Sequence, residues 1–544
     1  MGLADFLLGK PSALTQATTT LAYERMNYFG LYAQDAWKAT SRLTITYGLR
    51  WDPYLPLWTK YGWTPHFDTG LFAQNVHSTV FVNAPAGLIF PGDAQYPGNR
   101  VAEHRWNNLA PRVALAWDPK GDGKTSVRAA YGRFFDLPAL NNYVGFGSTP
   151  PIGNTTTVNF PASFADPWAG VPGGNPYPLT VSPNSPFINF GTYENFLLNP
   201  KTTYSQQWNL SVQRQLGANW LVTANYIGNS TIHVWGGNQA NPGQYMQGSC
   251  VINGAVTNPC STTANVNFRR TLYLQNPAQG TYYGSIAQLD DGGTGNYNGL
   301  ILSVQHRLSR GYSILANYTL SHCISDLANP ELAVAGANFT IPSNRHYDRS
   351  NCVLADRRQI FNLSAVFEMP RFANPKLRAV ASGWQLSPII KAQTGPYISV
   401  TSGVDQALTG QGGQRAVQVL ADPYSPNRSA SSYLNPAAFA QPAAGTYSSL
   451  GANNILAPGA LYVNAAVTRT FRIAERHSLQ FRFEGFNIPN HANLGPPNGL
   501  SGNGTAAGST GFLTPTAARN SQTFGQILSS DDPRILQGAL KFVF

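Results

Sequence analysis

The feature that most constrains the fold of this chain is a two-residue alternation of apolar and polar side chains that recurs along its length. In the clearest segment, 42–52, one side of an extended strand would carry Leu43, Ile45, Tyr47, Leu49 and Trp51. The other side would carry only small, polar or basic residues. Comparable segments lie near 27–37, 111–118, 125–135, 204–216, 219–229, 297–309, 311–321, 358–369, 380–391, 460–471, 478–488 and 534–544. The pattern predicts about thirteen β-strands, each close to the length of about 9–11 residues that crosses a hydrocarbon layer at a tilt.

The composition indicates that much of the surface does not face water. Only 11% of the 544 residues are charged and 12% are aromatic, whereas soluble domains carry about 25% charged residues. No run of about 18 apolar residues occurs, which excludes a helical membrane span. The mean hydropathy of -0.21 is typical of strands in which every second residue is apolar.

The formal net charge of +11 comes from basic residues that are scattered singly along the strands. Nucleic-acid-binding surfaces instead cluster their basic residues in a patch or stripe, so we do not expect nucleic acid as a partner. The charge favours a wall or mouth of positive potential that attracts anionic solutes or an acidic partner surface.

The connections between the segments alternate strictly between short and long. The short ones are 38–41, 119–124, 217–218, 309–310, 370–379 and 472–477, and the long ones are 53–110, 136–203, 230–296, 322–357, 392–459 and 489–533. Barrels of the bacterial outer membrane combine short periplasmic turns with long extracellular loops, and soluble sandwiches do not. We therefore predict an all-β protein, a transmembrane antiparallel β-barrel in the lipid of the outer membrane.

The same alternation orients the strands. With the C-terminus in the periplasm, 27–37 descends, so residues 12–24 are expected to form an ascending strand before it, giving about fourteen visible strands. Tryptophans then fall into two girdles, as barrels require: a periplasmic set of Trp37, Trp117, Trp220 and Trp384, and an external set of Trp51 and Trp208.

The last strand, 534–544, ends on an aromatic residue. Leu540, Phe542 and Phe544 share one face, and Gln537 and Lys541 point the other way. A terminal strand of this kind resembles the signal by which the barrel-assembly machinery recognises outer-membrane barrels. The alternative is an edge strand of a soluble β-protein that happens to end on Phe.

Several blocks resemble the barrel of TonB-dependent receptors, especially the Oar-like group. They include NYFGLYAQDAWKATSRLTITYGLRWD at 27–52, NLAPRVALAWDPKGDGKTSVRAAYGRFFD at 108–136, YSQQWNLSVQRQLGANWLVTANYIG at 204–228, DRRQIFNLSAVFEMP at 356–370 and RHSLQFRFEGFNIPNHANLGPP at 476–497. The resemblance implies a barrel of about 22 or more strands that is filled by an N-terminal plug and driven by TonB. The sequence departs from that pattern: it shows no plug, no TonB box and fewer strands, and ANNILAPG at 452–459 replaces a more basic segment.

The resemblance suggests how the chain is organised. We expect residues 1–26 to be an N-terminal remnant, including the possible first ascending strand, and 27–544 to be the C-terminal part of a larger transporter barrel. Residues 1–10 do not have the pattern of a signal peptide, so we expect an export signal to be encoded upstream. Gated transport predicts that a plug is encoded there as well. TonB is a partner only if that plug exists.

Four cysteines fall in or beside predicted external loops, in an oxidising compartment. We favour pairing Cys250 with Cys260, within one loop, and Cys323 with Cys352, which bracket another. Free thiols are the alternative.

No catalytic, cofactor-binding or metal-binding residue is predicted. The run GDGKT at 121–125 lacks an earlier glycine of a phosphate-binding loop and precedes a strand, so we interpret it as a hairpin turn. Asp290 and Asp291 match no defined calcium-ligand spacing. The residues that could contact a carbohydrate or peptide solute are loop aromatics, which could equally pack the loops together: Trp58, Tyr61, Trp63, Trp168 and Trp235.

The sequence leaves three functions open. The first is binding and gated passage of a solute as a TonB-dependent receptor. The second is a plugless, passive porin-like channel, and the third is a surface barrel that binds or adheres.

Overall fold

The computed structural model describes residues 7, 9, 13–18, 23–136, 140–153, 155–159, 161, 163–171, 174–175, 177–178, 180–252, 254–326, 339–342, 344–352, 356–370, 372–473, 477–497 and 524–544. Thirteen long strands form one antiparallel sheet, which we call the wall. They are β1 (Leu31–Thr40), β2 (Leu43–Trp51), β3 (Leu109–Trp117), β4 (Thr125–Phe135), β5 (Tyr204–Leu216), β6 (Trp220–Gln239), β7 (Tyr283–Ser309), β8 (Tyr312–Ser325), β9 (Gln359–Glu368), β10 (Trp384–Gln393), β11 (Ala460–Arg472), β12 (Ser478–Phe486) and β13 (Ile535–Val543).

Each wall strand pairs with the strands before and after it in the chain, so the predicted all-β fold and its up-and-down connectivity are confirmed. Two short strands complete the sheet: Gly191–Asn195 runs parallel to the start of β7, and Ser350–Asn351 pairs with the end of β8. Within the described residues β1 and β13 are the two edges, each with a single partner.

The register keeps one face apolar across all thirteen strands. Following cross-strand partners from Leu43 on β2 leads through Leu302 on β7 to the face of β13 that carries Leu536, Leu540 and Phe542. Large side chains on this face are open to the surroundings, as Leu540 shows with 70% exposure. So extensive an exposed apolar belt fits contact with lipid.

The six girdle tryptophans all lie on the apolar face. Trp117 ends β3, and Trp220 and Trp384 begin β6 and β10, all next to short turns. Trp51 ends β2 next to a long loop. No helix among the described residues is long and apolar enough to cross a membrane.

The hairpin of β6 and β7 is longer than predicted. The two strands contain 20 and 27 residues, so much of the expected loop 230–296 is strand. Beyond about residue 232 on β6 and before residue 294 on β7, glycines and polar residues on both faces contact loops, and the two-residue alternation disappears.

The N-terminal segment does not join the wall. Ala13–Ala17 pairs antiparallel with Thr155–Asn159, a strand of the second long loop. The predicted ascending strand over 12–24 is therefore wrong for its described part, because its backbone partners lie among the loops and not on β1.

The described residues of the long connections form a packed loop layer at one end of the wall; these connections are 52–108, 136–203, 240–282, 326–358, 394–459 and 487–534. It contains short strand pairs: Glu24–Arg25 with Trp58–Thr59, His66–Phe67 with Leu88–Ile89, Cys250–Ile252 with Ala255–Thr257, Tyr397–Ile398 with Ile455–Leu456, Val417–Gln418 with Phe439–Ala440, and Tyr424–Ser429 with Ser432–Leu434. Short helices are Thr69–Ala73, Leu140–Ser148, Val266–Arg269, Thr271–Gln275, Pro277–Gly280, Arg345–Asp348 and Pro436–Ala438, and Pro375–Ala381 lies in the turn before β10.

Nearly all buried apolar side chains in the described part of the chain belong to this layer or to the extended β6–β7 hairpin. They form three clusters, one around Phe90 and Tyr283, one around Tyr54 and Trp235, and one around Val400 and Phe439. The short turns at the other end of the wall have no comparable core among the described residues.

Candidate solute-binding cleft

A cleft of about 590 Å³ lies on the polar face of the wall. Its floor follows one row of cross-strand partners, which is Gln34, Gly48, Arg112, Gly132, Gln207, Asn229 and Tyr297 on β1 to β7. Gly48, Arg112, Gly132 and Gln207 each lie three residues from the strand end that meets the loop layer. The cleft is therefore close beneath the external mouth.

Near the β1 end, a glycine lets an aromatic ring and a guanidinium meet. A Cβ atom at Gly132 would lie 3.0 Å from the ring of Phe134, so the ring lies across the glycine. Arg112 places its guanidinium carbon 4.6 Å from the centre of that ring, a cation–π contact. Within the described residues Arg112 has no carboxylate within salt-bridge distance, and its side chain is exposed in the cleft.

The β7 end repeats this arrangement with a tyrosine. A Cβ atom at Gly299 would lie 2.8 Å from the hydroxyl of Tyr297, so this ring also lies along the strand and presents a face to the interior. Between the two ends the cleft is lined by the amides of Gln207, Asn209 and Asn229. Among the described residues, the amides of Gln207 and Asn209 form no hydrogen bond with another protein group.

A smaller cleft of about 150 Å³ adjoins this one at β1 and β2 and shares Gln34, Gly48 and Arg112. It also reaches Arg50, which is neutralised: its Nε donates to Asp52 at 2.7 Å and its Nη2 donates to the Tyr28 hydroxyl at 2.6 Å. Of these two neighbouring arginines, Arg50 is therefore paired with a carboxylate, whereas Arg112 has no carboxylate partner among the described residues.

The polar face as a whole has an excess of basic residues. Its basic side chains, placed by strand register, are Lys38, Arg50, Arg112, Arg128, Lys391, Arg472, Arg482 and Lys541, against Glu368 and Glu484. Arg482 is paired with Glu484 at 2.5 Å. The face therefore attracts anions.

The loop aromatics predicted from sequence do not gather around this cleft. Trp235 is 3% exposed, and its indole N–H donates to the Lys201 carbonyl at 2.8 Å. Trp168 is 7% exposed and donates to Gln16 at 3.1 Å. Burial leaves neither ring open to a solute, so these two residues pack the loop layer.

The other three aromatics lie nearer the outer surface. Trp58 is half-buried beneath the Arg100 guanidinium at 4.9 Å. Tyr61 and Trp63 have ring centres 4.8 Å apart, and the Lys60 ammonium lies 5.0 Å from the Tyr61 ring. Contact of these three with a solute stays a prediction.

All four cysteines are in disulfides. Cys250 is joined to Cys260 and Cys323 to Cys352, the connectivity that the sequence favours. The first bond closes a small hairpin in the loop layer, and the second ties the external end of β8 to the loop that follows it.

The other motifs singled out in the sequence have structural roles. Asp118 accepts hydrogen bonds from the backbone N–H groups of Gly121 and Gly123, at 2.9 and 2.8 Å, and closes the turn between β3 and β4. Asp290 pairs with Arg345 at 2.7 Å, and Asp291 accepts from the Lys201 N–H at 2.6 Å. No group of three or more potential metal ligands occurs in the described part of the chain.

Sequence analysis did not single out Arg112, Phe134 or Tyr297. A usable signal was present: an aromatic residue two positions from a glycine on the polar side of a strand, as in Gly132 with Phe134 and Tyr297 with Gly299.

A family model of the outer membrane beta barrel domain matches residues 1–537. The chain belongs to this family. Its location in the bacterial outer membrane and its barrel class, both predicted from the sequence, are confirmed, and the polar face of the wall is the barrel interior. No protein of curated function matches the chain.

Solved structures of outer-membrane transporters and receptors are similar to this barrel chain. They include the outer membrane transporter YddB from Escherichia coli, with 10% identity, a TM-score of 0.44, and coverage of 95% of this chain and 45% of that one. The ferric enterobactin receptor PfeA from Pseudomonas aeruginosa has 11% identity and a TM-score of 0.41, and the match covers 95% of this chain and 44% of that one. The ferric preacinetobactin receptor BauA from Acinetobacter baumannii has 11% identity and a TM-score of 0.38, and the match covers 94% of this chain and 42% of that one. The chain spans less than half the length of these proteins.

Proposed function

We propose that this chain is part of the wall of a TonB-dependent receptor of the Oar-like type and takes part in binding a solute and passing it across the outer membrane. The observation that carries the proposal is the water-facing cleft, set just beneath the mouth in a barrel face that is rich in unpaired basic residues. A catalytic role is not proposed.

The direction of the edge strands supports a larger barrel. Among the described residues the wall has thirteen long strands, an odd number, so β1 and β13 run in the same direction. Direct pairing of these edges would be parallel, whereas bacterial barrels close with antiparallel pairs and even strand numbers. Backbone groups in lipid also need partners. We infer that residues 27–544 form the C-terminal part of a wall that an odd number of further strands completes.

This organisation determines the partners that we propose. Leu540, Phe542 and Phe544 form the signal for the barrel-assembly machinery. TonB acts on the receptor only through a plug within that larger wall, and residues 1–26 lead into the barrel.

Cysteine labelling tests the proposal, because all four native cysteines are in disulfides and give a low background. Ser303 lies on the interior face of β7 and its neighbour Leu302 on the lipid face. In intact cells we expect a membrane-impermeant maleimide, added outside, to label Ser303→Cys and to leave Leu302→Cys unlabelled. The proposal is wrong if both positions are labelled alike.

The same experiment separates the alternatives. Gated transport predicts that an uncoupler of the proton gradient slows labelling of Ser303→Cys. A passive porin-like channel predicts labelling at the same rate with and without the uncoupler. A surface binding or adhesive barrel with a sealed interior predicts no labelling in either condition.

A further inference from the structure

The cleft is shaped for an extended solute. Its floor crosses seven strands, from Gln34 on β1 to Tyr297 on β7. Since neighbouring strands lie about 4.8 Å apart, the row extends over roughly 29 Å. A single small molecule would contact only part of this row, whereas an oligomer could contact all of it.

The chemistry changes along the row in a defined order. The Arg112 guanidinium offers several N–H donors in a plane and has no carboxylate partner among the described residues, which suits a carboxylate on the solute. The amides of Gln207, Asn209 and Asn229 each both donate and accept hydrogen bonds, as hydroxyl groups do. Tyr297 adds a flat ring face at the far end.

These features favour a saccharide over a peptide. An extended peptide is commonly bound by adding a strand to an open sheet edge. Along the cleft, β2 to β6 are paired on both sides, so their backbone groups are already used. Recognition must therefore come from side chains, and amides next to a flat ring match hydroxyl groups on a sugar ring. A neutral saccharide would leave Arg112 without a partner.

We propose that the interior cleft binds an acidic oligosaccharide, with a carboxylate at Arg112, hydroxyl groups at the amides of Gln207, Asn209 and Asn229, and a sugar ring on Tyr297. This inference rests on the proposed function in that it takes the cleft to be on the solute's path, and it adds the class of solute.

Calorimetry on the purified, complete receptor in lipid nanodiscs tests the proposal, with tri-galacturonate as the probe and maltotriose as its neutral counterpart. We expect tri-galacturonate to bind more tightly than maltotriose. Arg112→Gln should weaken the binding of tri-galacturonate about tenfold or more, the effect of losing a hydrogen bond to a charged group. It should leave the affinity for maltotriose unchanged.

Arg128→Gln is the matched control. Arg128 lies on the same interior face of β4, four residues further from the mouth than Gly132 and outside the cleft. Its replacement removes the same charge and should change the affinity for tri-galacturonate less than twofold. Tyr297→Ala should lower the affinity for both saccharides. Tyr297→Phe should bind them as the unmodified protein does, because the ring face is retained.

Three results would overturn the proposal: equal affinities for the two saccharides, equal effects of the Arg112 and Arg128 variants, or binding of tri-glutamate in place of tri-galacturonate, which would indicate a peptide site. The outcome is separable from that of the proposed function. Labelling of Ser303→Cys without saccharide binding would reject only the solute class. Saccharide binding without labelling would reject passage and keep the site.

Discussion

The wall and the loop layer of this barrel are stabilised in different ways. In the wall, the backbone ladder connects every neighbouring pair of strands, while large side chains such as Leu540, Trp37 and Leu302 are 70%, 56% and 45% exposed. In the loop layer, strands and helices are short, but side chains such as Tyr54 and Phe90 are buried, at 1% and 0% exposure.

This difference shows where side-chain chemistry controls stability. Lipid replaces a protein core as the apolar environment of the wall, so the wall tolerates change on its interior face and depends on hydrophobicity on the other face. The loop layer behaves like a soluble domain, because it buries apolar groups, ion pairs and hydrogen-bonded polar groups together. Each of the following substitutions therefore should affect one region and leave the other intact.

The largest effect is expected from a buried ion pair in the loop layer. Arg415 contacts Asp348 at 2.6 Å, with side-chain exposures of 4% and 6%, and its guanidinium lies 3.8 Å from the Tyr347 ring. Arg415→Ala leaves the buried Asp348 carboxylate without a cation, with the Thr340 N–H as its remaining partner, and should cost about 3–5 kcal/mol. Hydrogen exchange should accelerate in segments 344–352 and 397–457 and stay unchanged in the wall.

Arg345→Ala serves as the control for that substitution. Arg345 contacts Asp290 at a similar distance, 2.7 Å, but its side chain is 37% exposed. The Asp290 side chain is itself 14% exposed, and removing the exposed Arg345 side chain opens its carboxylate further to water, so we expect a loss of only about 1 kcal/mol or less. Equal effects of the two variants would contradict the view that the loop layer depends on buried pairs.

A charge in the wall should have a smaller effect that depends on the face. Leu302→Arg puts a cation on the lipid face of β7 and should reduce stability by about 2–4 kcal/mol if the position is near the bilayer midplane. Ser303→Arg puts the same cation on the interior face, where it should change stability by less than about 1 kcal/mol. Urea unfolding from lipid vesicles measures both, and a penalty at Ser303 as large as that at Leu302 would exclude a water-filled interior.

The sequence predicts the wall well because its environment is periodic. In 42–52 every second side chain meets lipid, so local alternation alone identifies β2, its faces and its girdle residue Trp51. The length alternation of the connections then orders the strands. Neither inference needs to know which residues meet in space.

The sequence fails where the environment is not periodic. In the extended part of β6 and β7, Gly236 pairs with Asp290 and both strands contact loops, so no face stays apolar. Ala13–Ala17 alternates as a strand should, but its partner, Thr155–Asn159, is set by the loop layer. The cleft depends on register across seven strands, which brings Arg112 and Tyr297 into one row although nothing links them in sequence.

The disulfide between Cys323 and Cys352 lies where the two regions meet. It closes a segment with a sequence separation of 29 at the external end of β8. In the chain-entropy model a closure of this length stabilises by about 3.5 kcal/mol. The double replacement by Ser should therefore accelerate exchange in 339–352 while Gln305 to Thr319, deeper in β7 and β8, stay protected. Accelerated exchange throughout β8 would show instead that this bond holds the wall itself.

The smallest effect is expected from a buried carboxyl, and it has the opposite sign. Burial raises the pKa of Glu194 from 4.5 to about 7, and its carboxylate has no cation within 4 Å among the described residues. The unfolded chain loses this proton near pH 4.5, but the folded chain retains it up to about pH 7. Stability should therefore fall as the pH rises through that interval and stay low above it.

Glu194→Gln removes the ionisation, so it should stabilise the loop layer at pH 8 by roughly 2–3 kcal/mol and have little effect at pH 4. Proteolysis of the loops across this pH range measures the change, with Glu103→Gln, an exposed carboxyl of the same layer, as the control. A stabilisation that is the same at both pH values would show that packing against Gly145, and not the charge, limits the stability of this part of the layer.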